Sequence, residues 1–226
     1  MRLTVIVPML NEERTIAAAL RAIRAGAPDA ELIVVDGGSV DLSRGLAKPL
    51  CDLLIEAPRG RARQLNAGAA QAGGEVLGFV HADTIVPSSY AHEIETALAD
   101  PEIVGGWFDL ELDDPGPLPR SIAFLINLRS HLSRLAVGDQ AIFARRSIFE
   151  GLGGFPALEL WEELEFARRL KHAGPTVCLK SRVLASARRW KRDGIGQTLA
   201  RIWILRLLYH LGARPALLKR FYSERR

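Results

Sequence analysis

Apolar runs of strand length alternate with amphipathic stretches of helical period through the first half of the chain. Residues 4–7 are the first run, long enough for a buried strand. Pro8 is expected to stop it, because proline brings no N–H to a ladder. Asn11 reads as an N-cap, with Glu12 and Glu13 in the first turn where the helix dipole favours carboxylates. Ile16, Leu20 and Ile23 then recur at helical spacing up to Gly26. Residues 31–35 form a second strand, broken by Asp36-Gly37-Gly38-Ser39, and residues 53–55 a weaker third. Residues 62–72 read as a helix ending at Gly73-Gly74. The run 76–80 is a strand that stops abruptly at His81-Ala82-Asp83-Thr84.

The second half is less regular. Residues 103–112 and 138–143 read as strands, with a Pro115-Gly116-Pro117 turn between them. Residues 118–135 form an amphipathic helix carrying Arg120, Arg129 and Arg134. Residues 162–172 form a helix closed by Gly174-Pro175, and 199–211 a last amphipathic one. Strands alternating with helices predict a parallel sheet, since parallel neighbours need crossover connections. No internal repeat or low-complexity tract interrupts this order.

A length of 226 residues allows one large α/β domain with a real core. We expect it over 1–190, with a basic helical tail at 191–226 packed on it. The net charge of +4 conceals an asymmetry: residues 180–226 hold 13 Lys/Arg against 2 Asp/Glu, and the preceding 179 hold 17 against 24. Such a tail suits an anionic surface: membrane, nucleic acid or a phosphorylated ligand. Cys51 and Cys178, far apart and without a CxxC, suggest neither a zinc site nor a disulfide framework, and fit a reducing compartment. The apolar run at the start is too short for a signal peptide, and no run reaches the roughly 18 residues of a membrane span.

Asp83 stands just beyond a strand, where ligands of open α/β sheets bind. A hard cation shared with a phosphate would want its oxygen; the alternative is a helix cap. Asp36 before two glycines reads as a ligand carboxylate or as plain turn chemistry. Arg59, Arg61 and Arg63 crowd a helix start, where cations oppose the dipole unless an anion binds or the face is simply solvated. Glu162, Glu163 and Glu165 sit at another helix start, as general base or as dipole partners. Arg188-Arg189-Trp190-Lys191-Arg192 could clamp a diphosphate, lie at a membrane, or be a solvated run. Neither a dinucleotide fingerprint nor a P-loop, GxSxG or HExxH motif is present.

The order of these motifs resembles that of the family 2 glycosyltransferases, of GT-A fold. The matching runs are Val5-Ile6-Val7-Pro8 with Asn11-Glu12, Val34-Val35-Asp36-Gly37-Gly38-Ser39, Arg63-Gln64-Leu65-Asn66-Ala67-Gly68, Phe79-Val80-His81-Ala82-Asp83, and Trp161-Glu162-Glu163. Gly138-Asp139-Gln140 and Arg188-Arg189-Trp190 look like a compact subgroup associated with arsenosugar biosynthesis. The resemblance implies a mostly parallel Rossmann-like sheet flanked by helices. It implies an inverting transfer from a nucleotide-diphosphate sugar to an acceptor hydroxyl. Pro8, Asn11, Glu12, Asp36, Gly38, Arg63, Asn66, His81 and Ala82 would hold the nucleotide. Asp83, the last acid of the metal motif, would bind Mn²⁺ or Mg²⁺, with His81 where the first acid usually stands. Glu163 would be the base, with Glu162 as the alternative. Asp139, Gln140, Arg188, Arg189 and Trp190 would face the diphosphate or acceptor. No nucleic acid is expected, and the location expected is cytoplasmic; Trp190, Trp203 and Tyr209 are interfacial candidates for peripheral contact with an anionic membrane surface, the alternative and slightly preferred reading being packing of the tail's apolar stripe on the domain. Two competing readings stay open: a non-catalytic nucleotide-binding protein and a nucleotidyltransferase.

Overall fold

The computed structural model describes residues 1–158 and 160–188. Its strands are β1 Leu3–Met9, β2 Glu31–Asp36, β3 Leu53–Glu56, β4 Val76–Phe79, β5 Thr84–Ile85, β6 Gly105–Leu112, β7 Phe143–Arg145 and β8 Thr176–Ala185. Its helices are α1 Ile16–Gly26, α2 Ser43–Ala47, α3 Arg61–Gln71, α4 Tyr90–Leu98, α5 Pro117–Ser133, α6 Arg146–Gly151 and α7 Glu162–Ala173. The strands form one sheet in the order β3-β2-β1-β4-β7-β6-β8-β5. β3, β2, β1 and β4 are parallel, as are β6 and β8; β7 runs antiparallel between β4 and β6, and β5 antiparallel on β8. The expected mostly parallel sheet with flanking helices is therefore present, with β7 reversed at its centre.

Period-two alternation splits the strands between two cores. Val5 and Val7 join Ile16, Leu20 and Ile23 of α1 and Tyr90 and Ile94 of α4 on one face. Ile6, Ile33 and Val35 join Leu65 of α3 and Phe166 and Leu170 of α7 on the other. Each such side chain contributes about 1.5–3 kcal/mol on burial. Gly68 lets α3 lie close on β1, since a Cβ there would meet Ile6 at 2.5 Å. Beneath the start of α7, Phe79, Phe149, Phe155 and Phe166 form a knot, with the Phe155 and Phe166 centroids 4.6 Å apart and Phe79 and Phe155 4.8 Å apart. That knot seats the first turn of α7 at the end of β4.

Three local expectations are corrected. β1 runs through Pro8 to Met9. β4 pairs with β1 only as far as Ile6↔Phe79, so at Pro8 β1 has a side on which a missing N–H breaks no ladder. Asn11 caps no helix: α1 starts five residues later behind Thr15, and Asn11, at φ 52°, holds the next loop through Val40 N–H to its Oδ1 and its own N–H to Ser39 Oγ. Residues 138–140 are a 3₁₀ turn. There the Gln140 side chain accepts from Val137 N–H, and Ala141 at φ 46° breaks the run before β7. The sequence reading also missed β8, α4 and the short elements α2, β5 and α6. Helix α5 leaves Phe124, Leu125 and Leu132 exposed. Among the described residues no helix is long and apolar enough to cross a membrane. The tail at 191–226, with the helix expected over 199–211, lies outside the described residues, as do Arg189, Trp190, Trp203 and Tyr209.

Candidate active site

The carboxyl ends of β1 and β4 and the N-termini of α3 and α7 converge on one cleft of about 220 Å³. Pro8, Leu10 and Glu12 come from the end of β1, Arg59 to Gln64 from the start of α3, His81 to Asp83 from the end of β4, and Ala157, Leu158 and Glu162 from the approach to α7. This is the place where open α/β sheets bind ligands. It is also bipolar: two helix N-termini and three arginines attract anions, while Glu12, Asp83 and Glu162 attract cations. Trp161, just before the acidic pair, holds φ 64°, a strained conformation that starts α7 where Glu162 reaches the cleft.

Beside the cleft lies a chain of charges. Glu163 Oε1 accepts from Arg61 Nη1 at 3.2 Å and lies 3.2 Å from His81 Nε2. His81 Nδ1 lies 2.8 Å from Asp139 Oδ1, so both ring nitrogens face carboxylates. Arg61 also lies 3.6 Å from Glu162. Burial and the Arg61 charge pull the His81 pKa down, but the hydrogen bonds to Asp139 and Glu163 and the Asp139 charge outweigh them and hold it near 9. The ring is therefore cationic at neutral pH. Burial would raise Glu163, yet Arg61 and His81 keep its carboxyl well below the ordinary range. Glu162 goes the other way, raised by burial and by the Glu163 charge. Gly138 lets the Asp139 turn close on this group, because a Cβ there would lie 2.5 Å from Glu163 Oε1 and 2.8 Å from His81 Cε1.

At the mouth, Arg188 Nη2 donates to Glu12 Oε2 at 2.8 Å and to Asp83 Oδ2 at 3.0 Å. Two carboxylate oxygens thus converge on one cation. That donor set fits a divalent ion held by one or two carboxylates with the rest of its shell from phosphate and water. His81, with both nitrogens committed, offers no lone pair to it.

The structure brings Pro8, Glu12, Arg63, His81, Ala82, Asp83 and Glu162 to the cleft, with Glu163 and Asp139 behind His81 and Arg188 at the mouth. Asp36 ends β2 fully buried, accepting from Ser39 N–H and Oγ and from Arg44. Gly38, at φ 93°, sits in the same loop with open space about it. Asn66 and Gln140 go elsewhere. Asn66 donates to Phe155 O and accepts from Phe155 N–H, tying down the loop before α7. Gln140 is buried between Ser130, Val137 and Phe108 O. Two residues gain roles not assigned to them singly from sequence. Arg61 is the counter-charge of the acidic pair, and Gln64 clamps β1 to β2 through Met9 O and Val35 O. The arginine run was the only signal for Arg61, since its partner lies 102 residues away.

The sequence model described as Glycosyl transferase family 2 matches residues 4–153. An uncharacterised glycosyltransferase of Nostoc sp. is 29% identical over 122 residues, covering 50% of this chain and 38% of that protein. The chain thus spans well under half the length of that relative. Among solved structures, S. aureus TarS in complex with UDP-GlcNAc is similar at TM-score 0.69 and 18% identity, covering 82% of this chain and 58% of that one. The mannosyltransferase PcManGT from Pyrobaculum calidifontis, in complex with GDP-Man and Mn²⁺, is similar at TM-score 0.69 and 23% identity, covering 93% and 61%.

Proposed function

Since the chain belongs to glycosyl transferase family 2, we propose that it moves a sugar from a nucleotide-diphosphate donor to an acceptor hydroxyl, with inversion. One observation carries the reading: of the buried acidic pair at the start of α7, Glu162 lines the same cleft as Asp83 and the arginine-bearing start of α3, and Arg61 ties Glu163 to it from behind. The base and ribose would lie against Pro8 and the Asp36–Gly38 loop. Arg63 and the free N–H groups of α3 would take the diphosphate. Asp83, with Glu12 beside it, would hold Mn²⁺ or Mg²⁺; when bound, the ion would supply positive charge to the leaving diphosphate.

In the transfer, Glu163 takes the acceptor hydroxyl proton as its oxygen bonds to the anomeric carbon and the bond to the diphosphate breaks. Cationic His81, held by Asp139, keeps the Glu163 carboxylate aimed and ionised. Arg188 and Asp83 form a partly exposed pair; such pairs are worth about 0.2–1 kcal/mol. A divalent ion and a diphosphate can therefore displace the guanidinium from Asp83, freeing it for the leaving group. A second reading makes Glu162 the base, because Glu162 itself lines the cleft and burial raises its carboxyl. Membership of the arsenosugar-associated subgroup is part of the proposal and rests on residues 138–140 and 188–190. A single catalytic domain reaching residue 190 is part of it too, and rests on the change of charge balance near residues 180–194.

The test is a panel of nucleotide sugars, including UDP-GlcNAc and GDP-mannose, with and without Mn²⁺. At 100 times Kd a ligand stabilises by about 2.7 kcal/mol, roughly 5–10 °C in Tm for a chain of this size. We expect such a shift for at least one donor only with the metal, together with release of nucleoside diphosphate. Metal-dependent binding without turnover would favour the non-catalytic reading. Pyrophosphate release from a nucleoside triphosphate would favour the nucleotidyltransferase. In the same assay Gly138→Ala is expected to lower kcat about 10²-fold, the cost of a roughly 1 Å displacement of a catalytic group. Donor affinity should be unchanged, since Gly138 lies behind the cleft. Wild-type kcat in that variant would show that the Glu163–His81 contact does not set the rate.

A further inference from the structure

Away from the cleft, three side chains from three elements meet: Asp109 of β6, His131 in the last turn of α5 and Cys178 of β8. His131 Nε2 lies 2.9 Å from Asp109 Oδ1, Cys178 Sγ 3.4 Å from that oxygen, and Cys178 Sγ 3.5 Å from His131 Nε2. We propose that this triad is a second metal site, selective for Zn²⁺ and independent of the cation at Asp83.

Zinc binds sulfur at about 2.3 Å, imidazole nitrogen at about 2.0–2.1 Å and carboxylate oxygen at about 2.0–2.2 Å, in a tetrahedron whose edges are then roughly 3.3–3.6 Å. Two of the three observed separations already fall there. The third is a hydrogen bond, which need open by only about 0.4 Å as the ion replaces the proton. The donor set of thiolate, imidazole and carboxylate is borderline-soft, which favours zinc over Mg²⁺ and Ca²⁺.

The scaffold is held in place before any ion arrives. Asn127, one turn ahead of His131, donates to Leu110 O at 2.9 Å and accepts from Leu110 N–H at 2.8 Å, locking α5 to β6. The β6–β8 register shifts between Phe108 and Asp109, an irregularity of the kind that re-aims a side chain. Trp107 is the register partner of Cys178 across β6 and β8, and its buried indole N–H has no hydrogen-bond partner among the described residues. It suits a metal-bound thiolate, which gains from an N–H donor. Binding would release the Cys178 proton to solvent. The fourth position would face water, because the His131 side chain is 40% exposed. None of the three residues lines the cleft. Cysteine spacing alone pointed away from zinc, since two of the three ligands are not cysteines.

The experiment titrates the full chain with Zn²⁺ against a chromophoric chelator. One ion per chain should bind, with Cys178→Ser and His131→Ala weakening it at least about tenfold and Asp83→Ala leaving it unchanged. Unaltered affinity in Cys178→Ser, or binding lost only in Asp83→Ala, would overturn the site. If the Cys178 variant fails to fold, Co²⁺ decides in the Cys51→Ser background, where Cys178 is the one remaining thiol. A thiolate-to-cobalt charge-transfer band supports the site, and its absence overturns it.

Discussion

Replacing Glu163 by Gln is expected to lower kcat by about 10²–10⁴-fold, the range a positioned general base supplies, while leaving nucleotide affinity within about twofold. Gln keeps the shape and a hydrogen-bonding oxygen for Arg61 and His81 but cannot accept the proton. Steady-state kinetics beside calorimetry of the nucleoside diphosphate with Mn²⁺ would check both halves. Full activity in the variant would remove Glu163 from the chemistry. The matching Glu162→Gln variant separates the two carboxylates, and the pH–rate profile gives an independent readout. Glu163 is held ionised by Arg61 and His81 far below neutrality. As the base it would leave kcat flat as pH falls through the ordinary carboxyl range. Glu162 is raised by burial and by its neighbour's charge. As the base it would be protonated at higher pH, and kcat would begin to fall nearer neutrality.

Asp83→Ala is expected to abolish the metal dependence of nucleotide binding. With Mn²⁺ present, affinity should fall at least about 10- to 100-fold, the loss seen when even an outer partner of a metal ligand is removed. Without metal, the variant should bind as the wild type does or slightly better, because Asp83 then no longer repels the diphosphate. Arg188 keeps Glu12 as a partner in the variant, so the loss would report the ion and not a collapsed mouth. Mn²⁺-dependent affinity equal to wild type would move the metal to other ligands.

The parallel half of the sheet was legible because its signals are local. Residues 4–7, 31–35 and 76–80 are short apolar runs that give way to polar or turn residues, and Ile16, Leu20 and Ile23 mark one helix face; each signal fits within one element. Asp83 was legible for the same reason, as a carboxylate directly after a strand. Strand β8 was not, since Thr176–Ala185 mixes Lys, Ser and Arg into a half-buried strand that β5 pairs only at its last two residues. Asn66 and Gln140 could not be sorted from ligand-binding groups either. An amide reads alike in sequence whether it meets a ligand or, as here, the backbone of a distant loop.

The chain by itself determined which residues carry charge and, for Asp36, Asp83, Arg61 and the Glu162–Glu163 pair, the strand or helix end at which each stands. It thereby determined the α/β class and the presence of two acidic clusters and one arginine cluster at element ends. Only the tertiary structure decided which clusters meet. Arg61 reaches Glu163 across 102 residues, His81 spends both nitrogens on Glu163 and Asp139, and Cys178 finds Asp109 and His131 across 69 and 47 residues. The reason is physical. Periodicity and capping are set by neighbours a few residues apart, whereas a pKa, a counter-ion or a metal site depends on groups that only packing brings within a few ångströms.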